Sequence, residues 1–374
     1  MKPVWDVVVV GAGPAGASAA LGALAVDPRL SVLLLDREDF PRDKACGDGI
    51  APHVLDLLAD VGVTGVLDDW TPVRRFCLER GSLAVDRELA RPTWVVPRTV
   101  FDERLVAAAR SAGAQLVRHR VRDLRVDGDT VLLDGSLTGR IVIGADGAHS
   151  VVRRVAGGRR GPTALALRGY APTPPNRSAQ QAIVYGPGPQ PSYAWSFDRG
   201  DGLSNVGYGE ALTGRRQHPT RTELLNRLED LLPGATDGGT DWRAHHLPLT
   251  SWSWRPGKGR VLLTGDAAGL VNPMTGEGIY YAVATGLSAG RAAAGSLRDG
   301  DGRGAGTAYR QLSSPLNRHF RHTALAALLT QSGRVLDAGI RAAAADQQVF
   351  DDLVELGLAD GGLTRPLVRG LFGR

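Results

Sequence analysis

The stretch from Trp5 to Asp36 constrains the chain more than any other. It opens on Val7–Val10, passes through Gly11-Ala-Gly13-Pro-Ala-Gly16, and continues as an alanine- and leucine-rich run to Val26. Between Asp6 and Asp27 no charged residue occurs over twenty positions, the length of a membrane-spanning helix. The content refutes that reading, because a valine run broken by a Gly/Pro turn predicts a buried strand (Trp5–Val10) followed by a helix (Ala15–Val26). No basic segment precedes it, so neither a signal peptide nor a transmembrane helix is expected. Ser31–Leu35 reads as a second fully buried strand, and strand, helix and strand in this order make a parallel βαβ unit. The fold class is therefore α/β, with a Rossmann-like parallel sheet.

The same turn carries chemistry. Gly11 permits a tight turn, Gly13 lets the backbone approach a pyrophosphate, Gly16 allows close helix packing, and the helix N-terminus faces the phosphates. Asp36, twenty residues after Gly16, is placed to accept a hydrogen bond from a ribose hydroxyl. A carboxylate there repels a 2′-phosphate and disfavours NADP at this site. With strand, helix and acidic residue all in place, the motif predicts dinucleotide binding over an ordinary glycine turn. It does not separate NAD from FAD.

At 374 residues the chain is long enough for two or three domains. Its 43% hydrophobic and 22% charged residues exclude a disordered or fibrous protein. A polar loop is expected at 37–50, a short helix at about 52–61, strands at 73–96, a helix at 99–112, and strands over 115–143. From about 163 to 250, strands such as Gln181–Tyr185, Tyr193–Phe197 and Ser204–Tyr208 alternate with Pro/Gly turns, with one helix at about 220–232. The buried-strand pattern returns at Gly259, a small-residue helix follows at about 276–295, and 304–374 reads as helical. These shifts predict a discontinuous cofactor-binding domain (1–72, 97–160 and 255–300). They also predict an antiparallel-sheet substrate domain (73–96 and 161–254) and a C-terminal helical region (301–374).

Basic residues outnumber acidic ones by 44 to 39, and only Lys2, Lys44 and Lys258 among them are lysines. The pairs Arg74-Arg75, Arg153-Arg154, Arg159-Arg160 and Arg215-Arg216 are scattered and lack interleaved aromatics. They read as solvated surface, with peripheral membrane contact left open and no nucleic-acid partner expected. The two cysteines, Cys46 and Cys77, form neither a CxxC pair nor a metal-ligand spacing, and a reducing cytoplasm is the expected compartment. Cys77 is expected in the core. His245-His246 have no ligand neighbours at metal spacing and read as strand-surface residues, so no metal site is expected.

Three further segments narrow the cofactor. Gly144-Ala-Asp146-Gly147-Ala-His-Ser150 closes one strand and Gly265-Asp266-Ala-Ala-Gly269 closes another, followed by Asn272-Pro273-Met-Thr-Gly276-Glu277-Gly278-Ile279. These resemble the FAD signatures of the flavoproteins that include aromatic hydroxylases and geranylgeranyl reductases. The loop Pro41-Arg-Asp-Lys44-Ala-Cys46-Gly47-Asp-Gly49, taken with Tyr193-Ala-Trp195-Ser-Phe197, resembles the geranylgeranyl reductase family of FAD-dependent oxidoreductases. The resemblance runs from the N-terminus to about residue 295.

That resemblance implies noncovalent FAD, contacted by Ala15, Asp36, Cys46, Gly47, Arg98, Val121, Asp266, Gly278 and Ile279. Gly11, Gly13, Gly16, Asp146, Gly265, Pro273 and Gly276 complete the expected cofactor site. Asp266 would bind a ribityl hydroxyl, and the helix after Gly278 would aim its positive end at the pyrimidine edge of the flavin. Tyr193, Trp195 and Phe197 alternate along a strand and share one face, which in the family lines the substrate cavity. Asp198 stands where the family motif has proline. Cys46 is either a proton donor to the substrate, a wall of the pocket, or a small buried hydrophobe. The implied activity is reduction of carbon–carbon double bonds in an isoprenoid-like or other apolar substrate. Electrons would come from NADPH, ferredoxin or a separate flavin reductase, the last two implying a redox partner protein. The alternatives are a monooxygenase on the same scaffold and, less favoured, a halogenase, for which Lys44 is the one lysine in a flavin loop.

Overall fold

The computed structural model describes residues 3–372 except 159–160, 189, 213–217, 253 and 255. The Arg159-Arg160 and Arg215-Arg216 pairs lie outside the described residues. The chain opens with β1 (Val4–Val10), α1 (Pro14–Val26) and β2 (Val32–Asp36), then β3 (Gly49–Ile50) and α2 (Pro52–Ala59). The hairpin β4 (Val73–Arg80) and β5 (Leu83–Val95) leads to α3 (Arg98–Ser111), β6 (Gln115–Arg118), β7 (Leu124–Asp127), β8 (Thr130–Leu133) and β9 (Leu137–Gly144). After α4 (Val151–Val155) come β10 (Thr163–Pro172), β11 (Gln180–Tyr185), β12 (Ser192–Asp198), β13 (Leu203–Leu212), α5 (Arg221–Leu231) and β14 (Thr240–Pro248). The chain then crosses back through β15 (Gly257–Lys258) and β16 (Val261–Leu263) into the long α6 (Ile279–Arg298). It ends in α7 (Ala305–Leu312), α8 (Ser314–Thr330), α9 (Gly333–Ala345), α10 (Gln347–Leu358) and α11 (Arg365–Phe372).

Two sheets result. The first runs β15-β16-β9-β1-β2-β6, parallel from β16 to β6, with Val7 opposite Val32 and Val10 opposite Leu35. The second runs β14-β10-β13-β12-β11-β4-β5-β3 and is antiparallel apart from the parallel pair β4 and β11. Residues 49–50, expected within the cofactor segment, pair with Trp94 and Val95 and so belong to the second sheet. The glycine-rich 47–49 turn carries the cofactor loop onto the edge of that sheet.

Helix α1 is buried from Pro14 through Leu24 because α6 lies directly upon it. A methyl group on Gly290 would sit 2.0 Å from the Ala19 carbonyl oxygen, and one on Gly286 would sit 2.3 Å from that of Ala15. The small residues of both helices thus bring two backbones into contact, locking the first turn of α1 in place beneath the sheet. Helix α6 starts at Ile279 rather than near 276. The preceding turn is closed by Asn272, whose N–H donates to the Glu277 carbonyl (2.7 Å) and whose own carbonyl accepts from Gly276 N–H (2.9 Å).

On the second sheet, Leu224 and Leu228 of α5 cover one face with Leu167, Ala194 and Tyr208. The other face packs Phe76, Leu78, Ile183 and Trp195 against Leu336, Ile340 and Phe350 of the C-terminal helices. Full burial of Phe350 contributes about 1.5–3 kcal/mol to this attachment. Among the described residues no helix is long and apolar enough to cross a membrane.

Candidate active site

Between the two sheets and the C-terminal helices lies a cavity of about 820 Å³. At one end are the residues of the glycine turn. Gly11 has φ +99°, and a side chain there would collide with the Ala145 carbonyl at 2.3 Å. Gly16 is sealed against the Gly11 carbonyl, 1.7 Å from any added methyl, and Gly265 against Ala15. Both are packing glycines that do not line the cavity, whereas Gly11, Gly13 and Ala15 do. The α1 N-terminus has no side-chain cap, so its backbone N–H groups remain available to an anion.

Charged groups surround this end. A methyl on Gly13 would lie 3.0 Å from Arg42 Nη2 and 3.8 Å from Arg98 Nη2. Arg98 makes a bidentate pair with Asp102 (2.6 and 2.7 Å), which Arg42 also reaches at 3.0 Å. Asp102 orients both guanidiniums, and Arg42 also lies 3.8 Å from Asp36. Asp36 lines the cavity, and its Oδ2 accepts from the Ala12 N–H at 2.8 Å. Val121 flanks the same end. Asp146 also lines it, but its carboxylate accepts from the Ser150 hydroxyl (2.5 Å) and the Val151 N–H (2.6 Å), binding the first turn of α4.

Further along, Asp266 meets the Lys44 ammonium at 2.7 Å. Burial opposes ionisation of Asp266, but the Lys44 charge and hydrogen bond outweigh it and hold the carboxyl below its usual value. His245, expected on the strand surface, instead lines this cavity. Burial first, and the Lys44 charge second, push its pKa down to about 4, so its ring is neutral at physiological pH. The reason is the position of β14 at the sheet end nearest Asp266, which turns alternate side chains inward. No cluster of metal-ligating side chains occurs among the described residues.

The middle of the cavity is aromatic. Tyr193, Trp195 and Phe197 all line it, as do Cys46, Gly47, Pro273, Gly276, Gly278 and Ile279. The Tyr193 hydroxyl donates to the Thr275 carbonyl, tying the aromatic strand to the turn before α6. Trp195 Nε1 donates to Asn205 Oδ1 at 2.8 Å. Asn205 Nδ2 in turn donates to the Cys46 carbonyl and to Asp48 Oδ2, both at 2.8 Å, while the Tyr170 hydroxyl donates to the same oxygen at 2.5 Å. Asn205 therefore fastens the Cys46 loop to the aromatic wall. Sequence reasoning missed it, since a lone asparagine inside a strand carries no motif.

Asp48 is fully buried; burial pushes its carboxyl up to about 6 in spite of those two hydrogen bonds. Burial likewise raises the Cys46 thiol against the opposing charge of Arg98, so the thiol stays protonated at neutral pH. Cys77 is buried in β4 and its thiol faces Glu79. Asp198 does not line the cavity. Its carboxylate accepts from Ala179 N–H (2.6 Å), Gly200 N–H (2.9 Å) and the Thr173 hydroxyl (3.2 Å), so this departure from the family motif holds loops together behind the aromatic wall.

A second missed group is Glu277, which lines the cavity. It also bonds the first turn of α6, since Glu277 Oε1 accepts from Tyr280 N–H at 2.8 Å. Burial outweighs these backbone bonds and lifts the carboxyl to about 7. The signal was present in the sequence as the acid one position before the helix-start glycine.

These residues fit FAD. The uncapped helix end and paired arginines suit its pyrophosphate, Asp36 stands at the adenosine end, and the buried Gln181 Nε2 and His245 Nε2 have no protein partner at the cavity wall. One continuous cavity joins the glycine turn to the aromatic wall. Beyond that wall the cavity continues between α8, α9, α10 and α11 as an apolar arm past Leu329, Leu336, Ile340, Leu353 and Leu367.

Comparison with known proteins points to the same cofactor. Residues 4–312 match the FAD binding domain family. The chain is 34% identical over 330 residues to the menaquinone reductase of Mycolicibacterium smegmatis, covering 79% of this chain and 76% of the relative. It is 32% identical over 321 residues to digeranylgeranylglycerophospholipid reductase 1 of Methanopyrus kandleri, covering 79% and 82%. Among solved structures, a geranylgeranyl bacteriochlorophyll reductase-like protein from Thermoplasma acidophilum superposes with a TM-score of 0.79 at 21% identity, covering 100% of this chain and 97% of that one. A flavin-dependent brominase superposes at 0.67 and 19% identity, covering 91% and 93%, so the fold alone does not select a chemistry. The family match and the sequence relatives place the chain in the geranylgeranyl reductase family of FAD-dependent oxidoreductases.

Proposed function

We propose that this protein adds two hydrogens across carbon–carbon double bonds of an isoprenoid chain attached to a polar head. The observation that carries the reading is the apolar arm, which leaves the aromatic wall and is enclosed by leucine and isoleucine side chains of four helices. Menaquinone and digeranylgeranylglycerophospholipid, named in the relatives, share an isoprenoid tail and little else, which makes the tail the common target.

Reduced FAD, when bound, supplies a hydride. The chain's own residues do the rest. Gly11, Gly13, Arg42 and Arg98 hold the pyrophosphate, Asp36 the adenosine ribose, and Asp266 with Lys44 the ribityl chain. Tyr193, Trp195 and Phe197 press the alkene toward the cofactor and keep water out. An isolated alkene is a poor hydride acceptor, so a protonated group must deliver H⁺ as the hydride arrives. Cys46 and Glu277 both face the cavity, and both retain a proton near neutral pH. On this reading 1–72, 97–160 and 255–300 serve the cofactor, 73–96 and 161–254 the reacting part of the substrate, and 301–374 its tail. Electrons arrive from NADPH, ferredoxin or a separate flavin reductase. The free thiols Cys46 and Cys77 fit a cytoplasmic setting.

The test is anaerobic single turnover of the chemically reduced holoenzyme with polyprenyl substrates, read by flavin absorbance and mass spectrometry. A product heavier by two hydrogens supports the proposal. Oxidation that waits for oxygen, with a product heavier by one oxygen atom, overturns it in favour of a monooxygenase.

A further inference from the structure

The outer faces of α8 and α11 combine exposed apolar and basic side chains. On α8, Arg318, Arg321, Leu325 and Leu328 are exposed at spacings of three, four and three residues, forming one stripe. Leu328 is 56% exposed. On α11, Arg365, Val368 and Arg369 are exposed, with Val368 at 40%. The inner sides of the same two helices line the cavity arm through Ala326, Leu329, Leu367 and Leu371. The two helices are neighbours, since Ala326, Ala327 and Leu367 share one apolar cluster and the Leu363 N–H donates to His322 Nδ1 at 3.2 Å.

Charge sharpens the picture. From Gly302 to Leu336 the chain has five arginines and no acidic residue, and α11 has none either. Arg318, Arg321, Arg334, Arg365 and Arg369 have no ion-pair partner among the described residues. By contrast Arg80, the last residue of β4, is paired with Asp337 of α9. Leucines rimmed by unpaired arginines on short amphipathic helices are the composition of an interfacial segment that binds anionic lipid. A second copy of the chain is a poorer occupant, because a symmetric contact would set these arginines against their own like.

We propose that the α8–α11 face docks on an anionic bilayer surface and that isoprenoid chains pass from the bilayer into the arm between these helices. The second half rests on the function proposed above; the docking does not.

The experiment is co-sedimentation of the FAD-loaded protein with phosphatidylcholine vesicles, with and without phosphatidylglycerol, at low and high salt. Binding is expected to require phosphatidylglycerol and to weaken with salt. Arg318→Glu with Arg321→Glu, and separately Leu325→Asp with Leu328→Asp, should each lower vesicle affinity at least about tenfold, given about 1 kcal/mol per basic residue near the surface. FAD content and unfolding midpoint should hold, showing that the variants fold. Failure of the parent protein to bind, equal binding by the variants, or a dimer that Leu328→Asp dissociates would each overturn the docking. Vesicle binding without saturation of any embedded isoprenoid would leave the docking standing and count against the proposed reaction.

Discussion

Asn205→Ala removes a side chain on which three other groups depend. Asn205 is fully buried, and it bonds the Trp195 indole, the Cys46 carbonyl and the Asp48 carboxylate, each at 2.8 Å. Net contributions are about 0.5–1.5 kcal/mol for each neutral bond and about 1.5–3 kcal/mol for the one to a charged group. The expected loss is therefore about 2.5–6 kcal/mol, a large share of the roughly 5–15 kcal/mol that keeps a domain folded. Asp48 retains the Tyr170 hydroxyl, which limits the damage on that side. Urea unfolding at neutral pH, followed by tryptophan fluorescence, measures the loss. Turnover should fall further than FAD content does, because the Cys46 loop and the Trp195 ring lose their common anchor while the glycine turn is untouched. A stability change below about 1 kcal/mol, with turnover intact, would refute the claim that Asn205 couples the two walls.

Other outcomes follow from the same geometry. Asp266→Ala should weaken FAD retention by about 1–3 kcal/mol, measured by equilibrium dialysis; unchanged affinity would mean the ribityl contact is elsewhere. Trp195→Ala should depress turnover far more than FAD content, and parallel loss of both would make the aromatic strand mere core. Glu277 has its carboxyl raised to about 7, so if it delivers the proton, kcat should fall as pH rises through about 7, and Glu277→Gln should abolish that limb. Persistence of the limb in the variant would point to another acid. The Asp48 carboxyl, raised by burial from 3.8 to about 6, contributes stability that is complete below the unfolded value and is lost as pH rises through about 6. Asp48→Asn should flatten that part of the stability profile, as unfolding midpoints across pH 4 to 7 will show. Leu353→Trp should shorten the apolar arm and favour shorter polyprenyl substrates, at a cost of about 1–3 kcal/mol from overpacking.

The local signals in this sequence were strong where chemistry demands particular backbone shapes. A valine strand, the Gly11–Gly16 turn and Asp36 define a βαβ unit because a close approach to a phosphate leaves few residue types possible. The 144–150, 265–269 and 272–279 segments are legible for the same reason. Tertiary structure decided what depends on distant partners. Asp146 lines the cavity while its carboxylate holds the first turn of α4, and His245 reads as surface but faces the cavity, because side-chain direction depends on where each strand ends up. Lys44 and Asp266 are 222 residues apart, and Asn205 meets Cys46 across 159; no local pattern encodes such pairings. The proton affinities of Asp48 and Glu277 are likewise set by burial, a property of the assembled fold. The C-terminal helices show the division most plainly: their apolar periodicity is written in the sequence, but only packing decides which leucines line the arm and which face outward.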